Sequence, residues 1–191
     1  MLFRSTSYST PNLDALAAGG MRFTHCYSQP LCTPSRVKLM TGRSNLRNYV
    51  HFSILDPSER TFAHMARDAG YATAVAGKWQ LLGSESYGEW TGRGSTPSDA
   101  GFDRWCLWQV EKLGSRYWTP TLDVDGELLG KIEGVYGPDL HCAYLLNFIA
   151  EQAGAPFFAY FPMSLVHDPF VPTPHSEPSP EGEKPTKAQN F

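Results

Sequence analysis

"PLCTPSRVKLMTG", residues 30–42, places a cysteine two residues ahead of a proline and four ahead of an arginine. Thr33 is a good N-cap, Pro34 suits the first helical position and Gly42 suits a stop, so the spacing predicts a helix over 33–41. Arg36 lies about one turn beyond Cys32 and can point back towards it. A helix N-terminus beside the thiol would add free N–H groups and the positive end of the dipole. A lone cysteine is commonly a small buried hydrophobe. Whether Cys32 does chemistry therefore depends on what the rest of the chain brings to it.

Working outward, "STPNLDALAAGG" (9–20) reads as a short helix capped by Thr10, and "MRFTHCY" (21–27) alternates like a strand. "TFAHMARDAG" (61–70) reads as a helix capped by Thr61, with Phe62, Met65, Ala66 and Ala69 on the core face and Gly70 ending it. "YATAVAGK" (71–78) follows as an apolar strand of the kind buried in a parallel sheet. Residues 82–117 are rich in Gly, Ser and Trp and read as a long irregular excursion. "TLDVDGELLG" (121–130) reads as a surface hairpin turning at Asp125-Gly126. The longest helix is expected over 138–154, with Leu140, Tyr144, Leu145 and Phe148 facing inward. "PFFAYFPM" (156–163) is a further buried strand, and a Pro-rich loop follows it.

Strands alternating with helices predict an α/β fold with a largely parallel sheet. In such sheets ligands bind beyond the carboxyl ends of the strands. Cys32, Lys78 and His167 each follow an expected strand, so the topology delivers a thiol, an ammonium and an imidazole to one edge. With Arg36 they suit a tetrahedral anion or its ester. Taken singly, Lys78 is a solvated charge, His167 a loop residue, and Asp139 and Asp168 cap and loop residues. His25, His51, His64, His141 and His175 keep structural or solvent readings.

Bulk properties narrow the field. The chain has 191 residues, 41% hydrophobic and 18% charged, with a net charge of −3. That is an ordinary globular composition with no electrostatic case for nucleic acid. No stretch approaches the roughly 18–20 apolar residues of a membrane span. The first ten residues lack the apolar core of a secretory signal. The four cysteines, Cys26, Cys32, Cys106 and Cys142, have no structural-zinc spacing. Cys26, Cys106 and Cys142 take buried structural roles on this reading, and a Cys26–Cys32 disulfide stays open.

The sequence resembles the formylglycine-dependent sulfatases of the alkaline-phosphatase-like superfamily. Their first signature is Cys-x-Pro-x-Arg, two variable residues, two bulky apolar ones and Thr-Gly; Cys32 to Gly42 matches it throughout. "GYATAVAGKW" (70–79) resembles the second signature, and "TPNLDALAAGGMRF" (10–23), "GFDRW" (101–105) and "PFFAYFPMSLVHDPFVPTP" (156–174) also resemble family text. The resemblance implies a three-layer αβα fold and hydrolysis of a sulfate ester to alcohol and sulfate. Cys32 would be oxidised to Cα-formylglycine by a formylglycine-generating enzyme that reads Pro34 and Arg36. One hydroxyl of the hydrated aldehyde attacks sulfur and the other expels sulfate. Arg36 would stabilise that hydrate, Lys78 would bridge nucleophile and sulfate, and His167 would contact sulfate and protonate the leaving oxygen. Relatives with formylglycine that cleave phosphonate or phosphate esters supply an alternative reaction. An inactive product and a redox thiol at Cys32 are the remaining alternatives. The Trp- and Tyr-rich stretch 87–118 is read mainly as packing, with a carbohydrate or aryl pocket as the functional reading.

Two departures qualify the resemblance. Gln80 stands where the family usually has a histidine, and an amide can hydrogen-bond but has no titratable nitrogen. The family's calcium sits on an Asp pair before the nucleophile and an Asp-Asn or Asp-His pair on a later strand. Here only 31 residues precede Cys32, and they hold no Asp-Asp dipeptide. Calcium takes about six to eight oxygen ligands, of which the modified Cys32 supplies one. The chain is accordingly expected to be an internal piece of the fold, lacking the first and later strands. It would comprise a partial catalytic domain (1–175) and a Pro-, Glu- and Lys-rich tail (176–191). Alone it is expected to bind calcium poorly and to turn over little substrate. Family members are often exported, but the compartment is not readable from this chain.

Overall fold

The computed structural model describes residues 9–176; residues 1–8 and most of the expected tail lie outside them. One five-stranded sheet runs in the order β4-β3-β2-β1-β5. The strands are β1 (Ala72–Lys78), β2 (Arg104–Trp108), β3 (Leu122–Val124), β4 (Glu127–Leu129) and β5 (Phe157–Tyr160). β1 is parallel to both β2 and β5, while β3 and β4 add an antiparallel hairpin. The helices are α1 (Pro11–Gly19), α2 (Cys32–Thr41), α3 (Asn45–Asn48), α4 (Phe62–Asp68) and α5 (Gly137–Glu151).

The period-two rule divides β1 between two cores. Val75 meets Val37 and Met40 of α2, Ala63 of α4, and Trp79, Phe102 and Leu107 on one face. Ala74 and Ala76 meet Leu145 and Phe148 of α5 with Cys106, Trp108 and Leu122 on the other. The result is the expected αβα layering with a largely parallel centre, and β1 is buried on both faces as its apolar run requires. Gly77 has a particular job. It sits at φ +127°, and a Cβ there would lie 2.2 Å from the Pro162 carbonyl oxygen. Only glycine lets the chain leaving β5 approach so closely, and the Lys78 N–H then donates to that same oxygen at 2.9 Å.

Several sequence expectations need correction. The alternating segment 21–27 is not a strand; Met21, Phe23 and Tyr27 are 80%, 73% and 80% exposed. Alternation makes a strand only where another strand supplies its hydrogen bonds, and none of the described strands does. The 82–117 region contains β2, a five-residue strand buried at its carboxyl end and too short to announce itself. α2 begins at Cys32 with Leu31 as its cap, and Thr33 instead accepts from the Ser53 N–H at 3.1 Å.

In α4 the buried residue is Ala63, not Met65, which is exposed, although Thr61 does cap the helix. α5 buries His141, Leu145 and Phe148, with Leu140 and Tyr144 at the core margin. All four cysteines are free; Cys26 and Cys142 are exposed, and Cys106 is buried as expected. The Asp125-Gly126 hairpin forms with φ of +52° and +90°, the two positive values a type I′ turn requires. Among the described residues no helix is long and apolar enough to cross a membrane.

Candidate active site

Cys32 is the first residue of α2, and the helix is held by Val37 and Met40, which its period turns into the core. The approach to it is pinned locally: Ser35 Oγ donates to the Leu31 carbonyl at 2.8 Å and to the Gln29 carbonyl at 3.0 Å. The thiol thus stands at a helix N-terminus rather than at the end of a strand.

Lys78 closes β1 and reaches the same point, its Nζ 3.4 Å from Cys32 Sγ. It is 7% exposed, and burial holds its pKa below the ordinary lysine value, with Cys32 opposing that shift. Gln80, two residues on, has φ +48°, a left-handed turn that directs the chain away from β1. Its Oε1 lies 3.9 Å from Cys32 Sγ, and its Nε2 donates to the Tyr87 hydroxyl at 2.8 Å. Arg36 does not extend towards solvent. Its guanidinium donates to the carbonyl oxygens of Trp79 and of Lys78, the latter at 2.8 Å. These bonds clamp α2 to the end of β1 and fix the spacing of Cys32 and Lys78.

His167 arrives on the loop after β5. With Cys32, Arg36, Lys78 and Ser164 it lines an open cleft of about 390 Å³. Its Nδ1 bonds to Asp168, 2.5 Å from Oδ1 and 3.0 Å from the carbonyl oxygen, which fixes the ring. The four residues singled out from sequence, Cys32, Arg36, Lys78 and His167, therefore surround one cleft, and Gln80 adjoins it.

Sequence reasoning missed the elements that hold this loop. Tyr117 donates its hydroxyl to the carbonyls of Ser164 at 2.9 Å and His167 at 2.6 Å, and Trp118 Nε1 donates to Pro172 O at 2.8 Å. Arg116, beside them, stacks on the Trp108 ring at 4.0 Å. The only signal was an arginine inside an aromatic cluster, "SRYW", within a stretch read as packing. Asp168, read as a loop residue, is the partner of His167.

The charge of the site selects its ligand. Lys78 and Arg36 line the cleft as basic side chains, and Asp168 Oδ1 lies 2.5 Å from His167 Nδ1. An open cationic cleft next to a helix N-terminus favours a tetrahedral oxyanion. It does not suit a calcium ion by itself. Among the described residues no group of three or more His, Cys, Asp or Glu could hold a metal. The polar groups facing Cys32 are an ammonium and an amide.

The α/β fold brings a thiol-bearing helix N-terminus and a cationic cleft together near the strand ends. Comparison with known proteins makes this specific. The sulfatase family model matches residues 2–191, and the chain belongs to the sulfatase family. Bovine arylsulfatase A is 48% identical over 84 residues, covering 39% of this chain and 17% of that protein. The N-acetylglucosamine-6-O-sulfatase of Bacteroides thetaiotaomicron is 29% identical over 169 residues, covering 86% of this chain and 27% of the enzyme. Canine N-acetylgalactosamine-6-sulfatase is 30% identical over 203 residues, covering 88% and 37% respectively. The chain thus spans well under half the length of these relatives.

Among solved structures, BT4656 in complex with its substrate D-glucosamine-2-N,6-O-disulfate superposes with a TM-score of 0.72. The two are 26% identical, over 93% of this chain and 35% of that one.

Proposed function

We propose that this chain carries the nucleophile half of a sulfatase site that hydrolyses the sulfate ester of a carbohydrate, with Cys32 converted to Cα-formylglycine. The observation that carries the reading is Lys78 Nζ at 3.4 Å from Cys32 Sγ within an intact Cys-x-Pro-x-Arg motif. The sulfated amino sugars named for two relatives and one structural neighbour support a sulfated carbohydrate over a simple aryl ester.

The modified side chain supplies two geminal hydroxyls, one to attack sulfur and one to expel sulfate. The surrounding residues do the rest. Lys78, desolvated and fixed, places a positive charge where oxyanion character develops. The uncapped N–H groups of α2 add partial positive charge on the same side. Arg36 holds the nucleophile and the ammonium in register through the carbonyls of Lys78 and Trp79. His167, whose Nδ1–H donates to Asp168, carries a transferable proton on Nε2 in its imidazolium form and would give it to the leaving oxygen. Gln80 hydrogen-bonds at the nucleophile without exchanging a proton.

Co-expression with a formylglycine-generating enzyme tests this directly. The tryptic peptide bearing Cys32 is expected to lose about 18 Da, and the modified protein to bind N-acetylglucosamine-6-sulfate and release its sulfate slowly. An unmodified thiol under those conditions would sink the proposal. Faster cleavage of a phosphonate ester than of a sulfate ester would transfer the reading to phosphorus chemistry.

A further inference from the structure

His167 is delivered by a segment with little packing of its own. Between residues 161 and 170 only Ser164 is buried, and Met163, Val166 and His167 are exposed. Apolar burial therefore does little to fix where the imidazole sits, and its position is left to hydrogen bonds.

Those bonds come from two directions. At the start of the segment the Lys78 N–H donates to the Pro162 carbonyl at 2.9 Å. Further along, the Tyr117 hydroxyl donates to the Ser164 carbonyl at 2.9 Å and the His167 carbonyl at 2.6 Å, one proton shared between two acceptors. The His167 N–H donates to the Ser164 carbonyl at 3.2 Å and closes the turn between them. Tyr117 thus grips both ends of the turn that carries the imidazole.

The grip is anchored in the body of the fold. Tyr117 is buried, its ring stacks on Tyr136 at 6.0 Å, and its carbonyl accepts from the Gly137 N–H at 2.8 Å where α5 begins. Burial raises the Tyr117 pKa, so the hydroxyl keeps its proton and remains a donor. α5 packs on Ala74 and Ala76 of β1, the strand that ends in Lys78. Tyr117 therefore refers His167 to the frame that holds Lys78 and, through Arg36, Cys32.

What this grip governs is one proton. On the sulfate-ester reading, a hydroxyl oxygen of the modified Cys32 bonds to sulfur as the S–O bond to the alcohol breaks. The Nε2 proton of the His167 imidazolium passes to the departing oxygen, leaving a neutral imidazole and an alcohol. A displacement of about 1 Å in a reacting group can cost about 10²-fold. The penalty falls on esters whose alcohol needs that proton to leave, and spares those whose leaving group departs as a stable anion.

We propose that Tyr117 is a positioning residue for protonation of the leaving group, holding His167 at the ester oxygen through the carbonyls of Ser164 and His167. The proposal rests on the sulfate-ester reading, and its test separates the two. The full chain with formylglycine in place of Cys32 is assayed for sulfate release from N-acetylglucosamine-6-sulfate and from 4-nitrophenyl sulfate. The ratio of the two kcat/KM values is compared between variants, because that ratio does not depend on the fraction of protein that folds.

Tyr117→Phe is expected to slow the sugar ester by about tenfold or more and the nitrophenyl ester by less than about threefold. His167→Ala shifts the ratio in the same direction, and adding Tyr117→Phe to it shifts the ratio no further, since no imidazole is left to position. Tyr136→Phe deletes a hydroxyl that has no partner among the described residues and leaves the ratio unchanged. An unchanged ratio in Tyr117→Phe, even with both rates lowered, would assign the residue a structural role and overturn the proposal. A further shift in the His167→Ala background would overturn it too, as would release from the nitrophenyl ester alone in the unsubstituted chain. Release from neither ester would overturn it together with the sulfate-ester reading.

Discussion

Lys78 Nζ lies 3.4 Å from Cys32 Sγ although 46 residues separate them in sequence. The contact exists because Arg36 ties α2 to the two carbonyls at the end of β1. Function and stability pull Lys78 in opposite directions. Burial holds its pKa below the 10.5 of a free lysine. Between those two values the unfolded chain binds the extra proton, so stability rises with pH across that window. Lys78→Met keeps the length of the side chain and removes the buried charge. It is expected to raise the melting temperature and flatten that pH dependence, while sulfate release by the modified protein falls by about 10²-fold or more. A lower melting temperature together with unchanged turnover would contradict both halves.

Gly77 should be intolerant of any side chain. Alanine there meets the Pro162 oxygen at 2.2 Å and must hold φ near +127°. Gly77→Ala is expected to cost about 2 kcal/mol or more, read as a lowered denaturation midpoint with little change in m-value. Because Pro162 begins the segment that carries His167, binding of inorganic sulfate should weaken in the fraction that folds. Gly70→Ala, in open space at φ +82°, carries only the backbone strain and should cost less.

How legible was this in the sequence? The nucleophile segment is local, so its helix and the αL stop at Gly42 were readable from spacing, while the roles of Cys32, Pro34 and Arg36 came from the resemblance to the sulfatase signature. Lys78 followed because an apolar run bounded by Gly70 and a lysine reads as a strand with a charged end. The failures share one cause, which is that strands depend on partners distant in sequence. Residues 21–27 alternate correctly but no described strand pairs with them, whereas β2 has weak local signals and forms because β1 and β3 flank it. The contacts of Arg116 with Trp108 and of Asp168 with His167 are ones that no periodicity encodes.

His141 should set the acid limit of the fold. It is fully buried in α5, both ring nitrogens lack partners among the described residues, and burial pushes its pKa down to about 4. The unfolded chain, with an imidazole near 6.5, therefore takes up a proton first. Stability conferred by the neutral ring is present above about 6.5 and is lost as pH falls towards 4, by about 3 kcal/mol in all. His141→Leu is expected to flatten the decline of melting temperature between those values, provided leucine fills the same space. An unchanged acid limb would show that other groups govern it.

Gln80 marks the step at which this site differs most in chemistry from its family. Its amide is held between the Tyr87 hydroxyl at 2.8 Å and Cys32 Sγ at 3.9 Å, so it can orient the nucleophile but cannot accept its proton. On the proposed mechanism, expulsion of sulfate needs a proton removed that the amide cannot take, so either another base or water serves or turnover is slow. A histidine at this position would place an imidazole with an ordinary value near 6.5 where the amide now lies. Gln80→His in the modified protein is expected to raise kcat for sulfate release by about tenfold or more and to introduce a titration near neutrality into the kcat profile. The effect on KM should be small, since the exchange adds no charge to the ground-state complex above that pH. A kcat that falls, with no new titration, would mean that Gln80 positions the nucleophile and that proton removal is not limiting.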